Sequence, residues 1–344
     1  MDRLTLHDVR LRFKEPLVTS DGAFDERRSV IIGIEQDGVT GWGEAPAFPS
    51  GRWGTVEAAW DALNHREVVT GHLPIPPIAS AAVEAARADL AARLEHKPLH
   101  EHIGGTTRPI VARHTLGLFD DPDQLVARIG RLVDAGIRSF KVKVRPGWDV
   151  AHVGAVRHTF PRVELSVDAN GSYHDPGDTA FGAFAEAGVD LVEQPFRADD
   201  LAAHAALKAR RTIPVCVDET IRSVADVRHV LAADAADVLA VKANRLGLSA
   251  TLNILAIAAD TGVGVKIGGT FDTAIGRRHL LAIATLDGVV DAEVAPPRGY
   301  LESDVASYPP LIAGGVTPDR RPGIGVDPDP DLLEQLEVRR ASIQ

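Results

Sequence analysis

Residues 165–170 read LSVDAN, an apolar run that ends in an acidic and an amide residue, and this pattern recurs along the chain. Five further short runs between residues 140 and 268 also end in a polar or glycine position. One charged residue in each run lies 24 or 25 positions from that in the next, which is a structural period; these are Lys143, Asp168, Glu193, Asp218, Lys242 and Lys266. The five runs are FKVK at 140–143, LVEQP at 191–195, VCVDE at 215–219, LAVK at 239–242 and VGVKIG at 263–268.

A period of about 25 residues fits one βα unit, with a short strand, a helix of about 10 to 12 residues and two loops. Continuous Val, Ile and Leu runs indicate strands buried on both faces, as in a parallel sheet that helices cover. The same period places a first strand at 111–116 and a last strand at 289–294. We therefore predict an α/β fold in which eight strands form a TIM-like barrel, with the polar strand ends at one rim. Helices are predicted at 122–135, 198–209, 223–233, 249–261 and 274–286.

The composition is that of an ordinary globular protein: 344 residues, of which 45% are hydrophobic and 25% are charged. This length suits one large domain with a smaller one. A formal charge of -11 and the lack of any Lys/Arg run argue against nucleic-acid binding. The sequence starts without a signal-peptide pattern and has no apolar run of membrane-spanning length, so we expect a cytoplasmic enzyme that does not bind membranes.

Two single residues are interpreted as structural. Cys216 lies inside a predicted strand and has no second cysteine to pair with, so we expect core packing. His114 lies at the end of the first predicted barrel strand, where contact with a substrate is the alternative.

Residues 1–108 do not follow the period and predict a separate α+β capping domain. Apolar residues alternate over 4–13, and a second β-type run covers 29–35, so a small antiparallel sheet is expected. Residues 55–63 and 80–94 are typical of helices, and the second is rich in alanine.

Two loops of this first domain are rich in small and polar residues: 17–27, which contains Ser20, and 49–54. They either close over the barrel mouth as a lid or are ordinary surface connections. Residues 109–295 then form the barrel. Residues 296–344, rich in Pro, Gly and Asp, are expected to pack back on the capping domain.

Three carboxylates follow three consecutive predicted strands, namely Asp168, Glu193 and Asp218, with Asn170 and Glu219 beside them. Because parallel strand ends meet at one rim, these carboxylates should face one point. Three hard oxygen ligands suit octahedral Mg²⁺ better than Zn²⁺, for which histidine and cysteine are expected. The alternative is that such acids cap helices or pair with lysines, but three in register at constant spacing favour a metal site.

Lysines flank the acids, with Lys141 and Lys143 on one side and Lys242 on the other. Residues two apart on a strand point the same way, so Lys141 and Lys143 both face one side, most simply the barrel interior. Buried ammonium groups close together near a dication should have depressed pKa values, which a general base needs near neutral pH. A solvated surface group is the alternative for any single lysine.

This layout fits removal of a proton next to a carboxylate, where a divalent ion stabilises the enolate charge and a lysine takes the α-proton. Two other interpretations of these residues are weaker. A Schiff-base aldolase that uses Lys143 or Lys242 needs no metal and leaves the three acids without a purpose. A barrel kept only for binding is weaker, since the full set of acid/base and ligand positions is present.

With these residues in place, the chain resembles the enolase superfamily, and within it the muconate-lactonizing-enzyme-like subgroup, over nearly its whole length. The resemblance implies a (β/α)₇β barrel, an N-terminal capping domain and a C-terminal return. The motifs that carry it are KVK at 141–143, VDAN at 167–170, EQP at 193–195, DE at 218–219 and Lys242.

The resemblance also implies roles for the rim residues. The acid/base pair would be Lys143 and Lys242, and Lys141 would support Lys143. The cofactor would be Mg²⁺, with Mn²⁺ as an alternative ion. Its ligands would be Asp168, Glu193 and Asp218.

Within the subgroup, KVRPGWD at 143–149 and GGTFDTAIGR at 268–277 look like the o-succinylbenzoate synthase and N-succinylamino acid racemase branch. Such synthases dehydrate a cyclohexadiene carboxylate in menaquinone biosynthesis, whereas the racemases exchange protons on opposite faces of an N-acylamino acid. We expect a synthase, with a racemase or other epimerase as the alternative. The partner would be a small-molecule carboxylate, and a homo-oligomer stays open.

Five residues are expected to contact substrate. Asp272 departs from the family pattern, where glutamate is expected, and this puts the substrate in question more than the chemistry. The glycine pair at 268–269 could instead cradle a phosphate, but no helix N-terminus clearly follows it in the sequence. The five residues are Asn170, Gly268, Gly269, Asp272 and Ser20.

Overall fold

The computed structural model describes residues 3–19, 21–65 and 75–343 of the chain. Its N-terminal part is an antiparallel sheet with two helices against it, as the alternating and alanine-rich patterns predict. Apolar side chains between sheet and helices form a core of their own. The elements are β1 (Arg3–Thr19), β2 (Gly22–Gln36), β3 (Val39–Pro46), α1 (Val56–Leu63) and α2 (Pro77–Leu94).

Helix α2 lies unusually close to strand β3 because the facing residues are small. A Cβ atom on Gly41 would be 2.2 Å from the carbonyl oxygen of Ala86. A Cβ atom on Gly43 would be 2.2 Å from that of Ala82. The alanine-rich face of α2 and these glycines are therefore complementary parts of one close backbone packing.

Eight parallel strands form the expected, nearly closed barrel, in which each strand pairs with the next along the chain. Arg113 on the first strand donates to Asp291 on the last at 2.9 Å, across the seam between them. The elements are α3 (Leu99–His102), β4 (Ile110–Val111), β5 (Arg113–Leu116), α4 (Pro122–Asp134), β6 (Ser139–Lys143), α5 (Asp149–Thr159), β7 (Glu164–Asp168), α6 (Thr179–Glu186), β8 (Val192–Glu193), α7 (Leu201–Arg210), β9 (Val215–Val217), α8 (Val224–Ala232), β10 (Val238–Val241), α9 (Ala243–Leu246), α10 (Leu248–Ala259), β11 (Gly264–Ile267), α11 (Ala274–Ile283) and β12 (Val289–Ala292).

Several element boundaries differ from the sequence-based prediction, and two of the differences have a clear structural cause. The strand expected at 111–116 is divided, because β4 pairs with a hairpin from the end of the chain and only β5 belongs to the barrel. The helix expected from residue 198 begins at Leu201, since the Asp200 side chain accepts the Ala203 N–H at 2.9 Å and caps the helix there. Ser223, the first residue of the helix predicted at 223–233, is the N-cap of α8, because its side chain accepts the N–H of Asp226.

The C-terminal part of the chain contacts both strand β4 and the N-terminal sheet. It comprises β13 (Leu311–Ile312), β14 (Gly315–Val316), α12 (Pro330–Leu336) and β15 (Glu337–Ile343). Strand β14 pairs with β4, and β15 pairs antiparallel with β1. Buried Asp8 on β1 accepts from Arg339 at 2.8 Å and from Arg28 at 3.1 Å, so one carboxylate joins three neighbouring strands. Within the described ranges, every helix is too short or too polar to cross a membrane.

Candidate active site

The predicted rim residues come together at the carboxyl ends of strands β6 to β9. Strand register places Lys143, Asp168 and Glu193 side by side. The Nζ atom of Lys143 lies 3.0 Å from Asp168 Oδ2, and that of Lys141 lies 2.5 Å from Glu193 Oε1. Further round, Lys242 donates to Asp218. The lysines thus stand at both ends of a row of three buried acids.

Each of the three acids is bonded to a lysine, which was the alternative weighed for strand-end acids. Among residues 3–19, 21–65 and 75–343, no three acidic, histidine or cysteine side chains form a ready cluster around one ion. The donor set nevertheless fits a hard divalent cation, since it consists of carboxylates on three adjacent strands. In addition, Asp218 Oδ1 is buried and has no hydrogen-bond partner, although burying an unsatisfied oxygen is costly.

The pKa values of Lys141 and Lys242 are raised, not lowered. Burial lowers the pKa of Lys141, but Glu193 and Glu293 raise it more, so that it lies well above the usual lysine value. For Lys242, burial is likewise outweighed, mainly by Asp218, and the pKa is raised. The protein groups alone thus do not depress these two pKa values, because the attraction of the acids exceeds both desolvation and lysine–lysine repulsion; the prediction concerned ammonium groups beside a dication and stays a prediction.

A cavity of about 60 Å³ lies over these strand ends and is enclosed by both parts of the molecule. Asn170 and Gly269, two of the predicted substrate contacts, line it. Asp21 and Arg52 of the predicted lid loops line it as well, and Arg52 donates to Asp21 at 3.1 Å and to Glu219 at 3.2 Å. The remaining charged and polar lining residues include Thr19, Thr115, Lys141, Lys143, Asp168, Asp218, Lys242, Thr270, Arg277, Glu293 and Tyr300.

Two predicted substrate contacts do not line the cavity, and a third lies outside the described residues. Asp272 is fully buried, and its carboxylate accepts from Asn244 Nδ2 at 2.6 Å and from the Thr270 N–H at 2.9 Å. Its side chain thus supports the cavity wall at Thr270 without lining the cavity itself. Gly268 is also absent from the lining, and Ser20 is the residue outside the described ranges.

His114 behaves as the structural interpretation expects. It is buried outside the cavity wall, and its ring stacks on that of Tyr300 with a centroid distance of 4.0 Å. Burial, with Arg128 and Arg277 nearby, lowers the pKa of His114 well below its usual value. The residue is therefore a neutral packing partner that supports Tyr300.

Two rim residues were not among the site residues predicted from the sequence. Glu293, just beyond β12, lies 2.5 Å from Lys141 Nζ and 3.3 Å from Lys266 Nζ. Lys266 on β11 is fully buried and donates to Glu193 Oε2 at 2.6 Å. Lys266 follows Lys242 at the spacing of 24 residues, and Glu293 lies in the predicted last strand at 289–294, so their place on predicted strands was the available signal.

The cavity wall after β11 is held by the N-terminal part of the molecule. Arg27 Nη1 donates to the carbonyl oxygen of Thr270 at 2.5 Å and also to that of Phe271, which has a positive φ of 59°. Glu44 accepts from the Thr273 N–H at 3.0 Å and from the Gly276 N–H at 3.0 Å. The two side chains are buried and lie 3.7 Å apart. We call Arg27 and Glu44 the clamp pair.

Next to the clamp pair, Asp304 should make stability depend on pH. Both of its oxygens accept the Ala274 N–H at 3.0 Å, and burial raises its pKa from 3.8 to about 7. The folded state therefore holds this proton more tightly than the unfolded state, so the free energy of unfolding should fall as pH rises from about 4 to about 7. Urea unfolding at a series of pH values should show a flatter profile for Asp304→Asn, but not for the exposed control Asp287→Asn. An unchanged slope in Asp304→Asn would contradict this assignment.

An eight-stranded barrel, an antiparallel cap and lysines on both sides of three strand-end acids define the class, and the chain belongs to the enolase superfamily. Residues 124–332, more than half of the chain, match the family described as enolase C-terminal domain-like. The o-succinylbenzoate synthase of Geobacillus stearothermophilus is 32% identical, over 97% of this chain and 95% of its own length. The N-succinylamino acid racemase of Thermus thermophilus is 29% identical, over 97% and 96%.

A solved structure of an enolase superfamily member from Listeria innocua agrees with this assignment. It superposes with a TM-score of 0.88 at 27% identity, covering 99% of this chain and 98% of its own. The named relatives are a lyase and an isomerase, so the chain is an enzyme, and its reaction type is that of the superfamily: proton abstraction next to a carboxylate. Membership in this superfamily generally implies a divalent metal.

Proposed function

We propose that the protein is a Mg²⁺-dependent o-succinylbenzoate synthase. The observation that carries the proposal is the placement of Lys143 and Lys242 at opposite ends of the row formed by Asp168, Glu193 and Asp218. A planar carbon held above that row has an amine on each face. The similarity to synthases over nearly the full length of the chain supports the choice of reaction.

In this reaction Lys143 removes the proton next to the carboxylate of a hydroxylated cyclohexadiene carboxylate. The C–H electron pair becomes the new ring double bond as the hydroxyl group leaves the neighbouring carbon. Lys143 returns its proton to that hydroxyl, so that water departs and the lysine is regenerated. From the other face, Lys242 stabilises the negative charge that develops on the substrate.

Asp168, Glu193 and Asp218 would hold the cation, with Mn²⁺ as an alternative to Mg²⁺. When bound, a divalent cation would stabilise the enolate charge. Its positive charge would also offset the carboxylates that raise the pKa values of Lys141 and Lys242. Lys141 lies 2.5 Å from both Glu193 and Glu293 and 3.5 Å from Asp168, the acid beside Lys143, and would help to keep these acids in place.

The second candidate is an N-succinylamino acid racemase or a related epimerase. The same opposed lysines favour it, because one lysine can remove the α-proton while the other delivers a proton to the opposite face. Similarity to the Thermus thermophilus racemase extends over nearly the whole chain. The small-molecule partner would in either case be a carboxylate.

The two candidates separate in one experiment. The enzyme with Mg²⁺ is given the cyclohexadiene precursor, with o-succinylbenzoate followed by UV absorbance, and N-succinyl amino acids in D₂O, with α-exchange followed by NMR. Rapid dehydration with little α-exchange supports the synthase. Exchange with racemisation and no dehydration moves the assignment to the racemase. If neither reaction occurs and EDTA changes neither signal, the proposal is contradicted.

Metal binding should depend on Asp218 and be visible without activity. We expect Mg²⁺ or Mn²⁺ to raise the melting temperature of the unsubstituted protein, since a ligand that binds only the folded state stabilises it. Asp218→Asn should abolish most of this shift. The control is Asp260→Asn, which replaces an exposed aspartate directly after α10 and should retain the shift. An equal shift in both variants would show that the ion binds elsewhere.

A further inference from the structure

A wide groove adjoins the catalytic cavity on the side of strands β7 to β9. Its volume is about 750 Å³, and it shares Arg52, Trp53, Asn170 and Glu219 with the cavity wall. The cavity itself, at about 60 Å³, holds only a small group. A substrate whose reacting carboxylate lies at the lysines must therefore extend outward, and this groove is one continuous path for it.

The groove is rich in arginine, and two of its arginines lack an acidic partner. Arg52 is paired with Asp21 and Glu219, and Arg197 is paired with Asp199 at 3.1 Å. In the described part of the chain, neither Arg222 nor Arg245 forms an ion pair with a carboxylate. Asp218 and Glu219 attract the Arg245 guanidinium at longer range, but in the described residues no carboxylate side chain accepts a hydrogen bond from the guanidinium of Arg222 or Arg245. The arginines of the groove are Arg52, Arg197, Arg222 and Arg245.

Arg245 is the buried member of this set, with only 7% of its surface exposed. Its guanidinium lies 4.1 Å from the ring centroid of Trp53 and donates to the carbonyl oxygen of Ile221. Its Nε and Nη1 atoms are buried without a hydrogen-bond partner, which is costly for a charged group. Arg222 is exposed, and its Nε donates to the carbonyl oxygen of Glu219 at 3.3 Å, which leaves its remaining N–H groups free for a ligand.

We propose that this groove is an anion-binding subsite of the active site, which receives a second carboxylate carried by the substrate away from the reacting carbon. The inference rests on the proposed function, because it assumes that the first carboxylate lies at the lysines. Two parts of a substrate could supply the anion: the far end of an acyl arm, or the acidic side chain of an N-acylated amino acid. Guanidinium groups suit either, since their N–H donors match a carboxylate.

The test compares ligand pairs that differ in one charge, with binding measured by calorimetry in the presence of Mg²⁺. N-succinylglutamate against N-succinylglutamine reports on the side chain. o-Succinylbenzoate against its succinyl amide reports on the acyl arm. Arg222→Gln should weaken binding of the charged member of one pair about fivefold, the range of a solvent-exposed ion pair, and leave its neutral partner unchanged. Arg228→Gln, an exposed arginine on α8 that does not line the groove, should change neither.

The pair that responds identifies the part of the substrate that enters the groove. Equal effects of Arg222→Gln on charged and neutral members, or no effect on any ligand, would overturn the subsite, as would the absence of binding by all four ligands. A charge-dependent loss of binding in an enzyme that neither dehydrates the precursor nor exchanges α-protons would leave the subsite standing and overturn the proposed function. The two failures are therefore distinguishable.

Discussion

Lys143→Ala should lower kcat by roughly 10²- to 10⁴-fold, the range expected when a positioned general acid–base group is removed. Lys143 is the lysine at the end of β6, next to Asp168 and Asn170, and no other lysine lies on that face of the rim beyond Lys141 in the described residues. Lys141 is held between Glu193 and Glu293 and cannot replace it without breaking both ion pairs.

Steady-state dehydration and α-exchange in D₂O measure this effect, and the pattern across variants separates mechanisms. In a synthase, Lys143→Ala should suppress dehydration, since the same amine takes and returns the proton. In a racemase, Lys143→Ala should suppress exchange of one enantiomer and Lys242→Ala that of the other. Lys97→Ala, an exposed lysine paired only with Glu95, is the matched control. A Lys143→Ala enzyme with more than a tenth of the original kcat would refute the assigned role.

Glu44→Ala should destabilise the fold by about 3–5 kcal/mol, because it leaves the buried guanidinium of Arg27 without its partner. Both side chains of the clamp pair are fully buried, and Glu44 also accepts the N–H groups of Thr273 and Gly276 at the start of α11. Burial lowers the pKa of Arg27, and Glu44 is the largest influence that raises it, so the attraction between the two groups offsets part of the cost of burying the guanidinium.

Chemical denaturation of Glu44→Ala and of a matched control measures this difference. Glu35→Ala removes a partly exposed glutamate from the same sheet, where it pairs with Arg3 at 2.7 Å, and should cost below about 1 kcal/mol. If the two variants lose equal stability, the clamp pair is not the tie between the two parts of the molecule. A folded Glu44→Ala enzyme should also show a raised KM, since the wall after β11 loses its support.

The barrel was predictable because its strands obey a local rule. Each strand is a short apolar run, each ends in a polar residue, and the spacing of 24 or 25 residues follows from the length of one βα unit. Register and burial were thereby implied, and Asp168, Glu193 and Asp218 do lie on neighbouring strands. The same logic applied to Lys266 and Glu293 would have added them to the rim.

What the sequence did not reveal depends on residues that are distant along the chain. Asp272 was assigned to the substrate, but Asn244 and Thr270 engage its carboxylate, and the clamp pair that fixes this wall comes from strands about 230 residues earlier. The raised pKa values of Lys141 and Lys242 also depend on distant residues. The direction of each pKa shift depends on how many acids surround the ammonium group, and for Lys141 one of these acids is Glu293, about 150 residues later in the chain.

Strand β15 forms an outer edge of the capping sheet against β1, so that Leu4 pairs with Ile343. During translation, residues 337–343 emerge more than three hundred residues after β1, and until then β1 has only β2 as a neighbour. An unpaired strand edge is a template for pairing with other chains. A barrel that folds during synthesis therefore does so beneath an unfinished cap. The last strand made on this sheet covers the long edge of β1 and leaves in its place a shorter edge strand of 7 residues, β15.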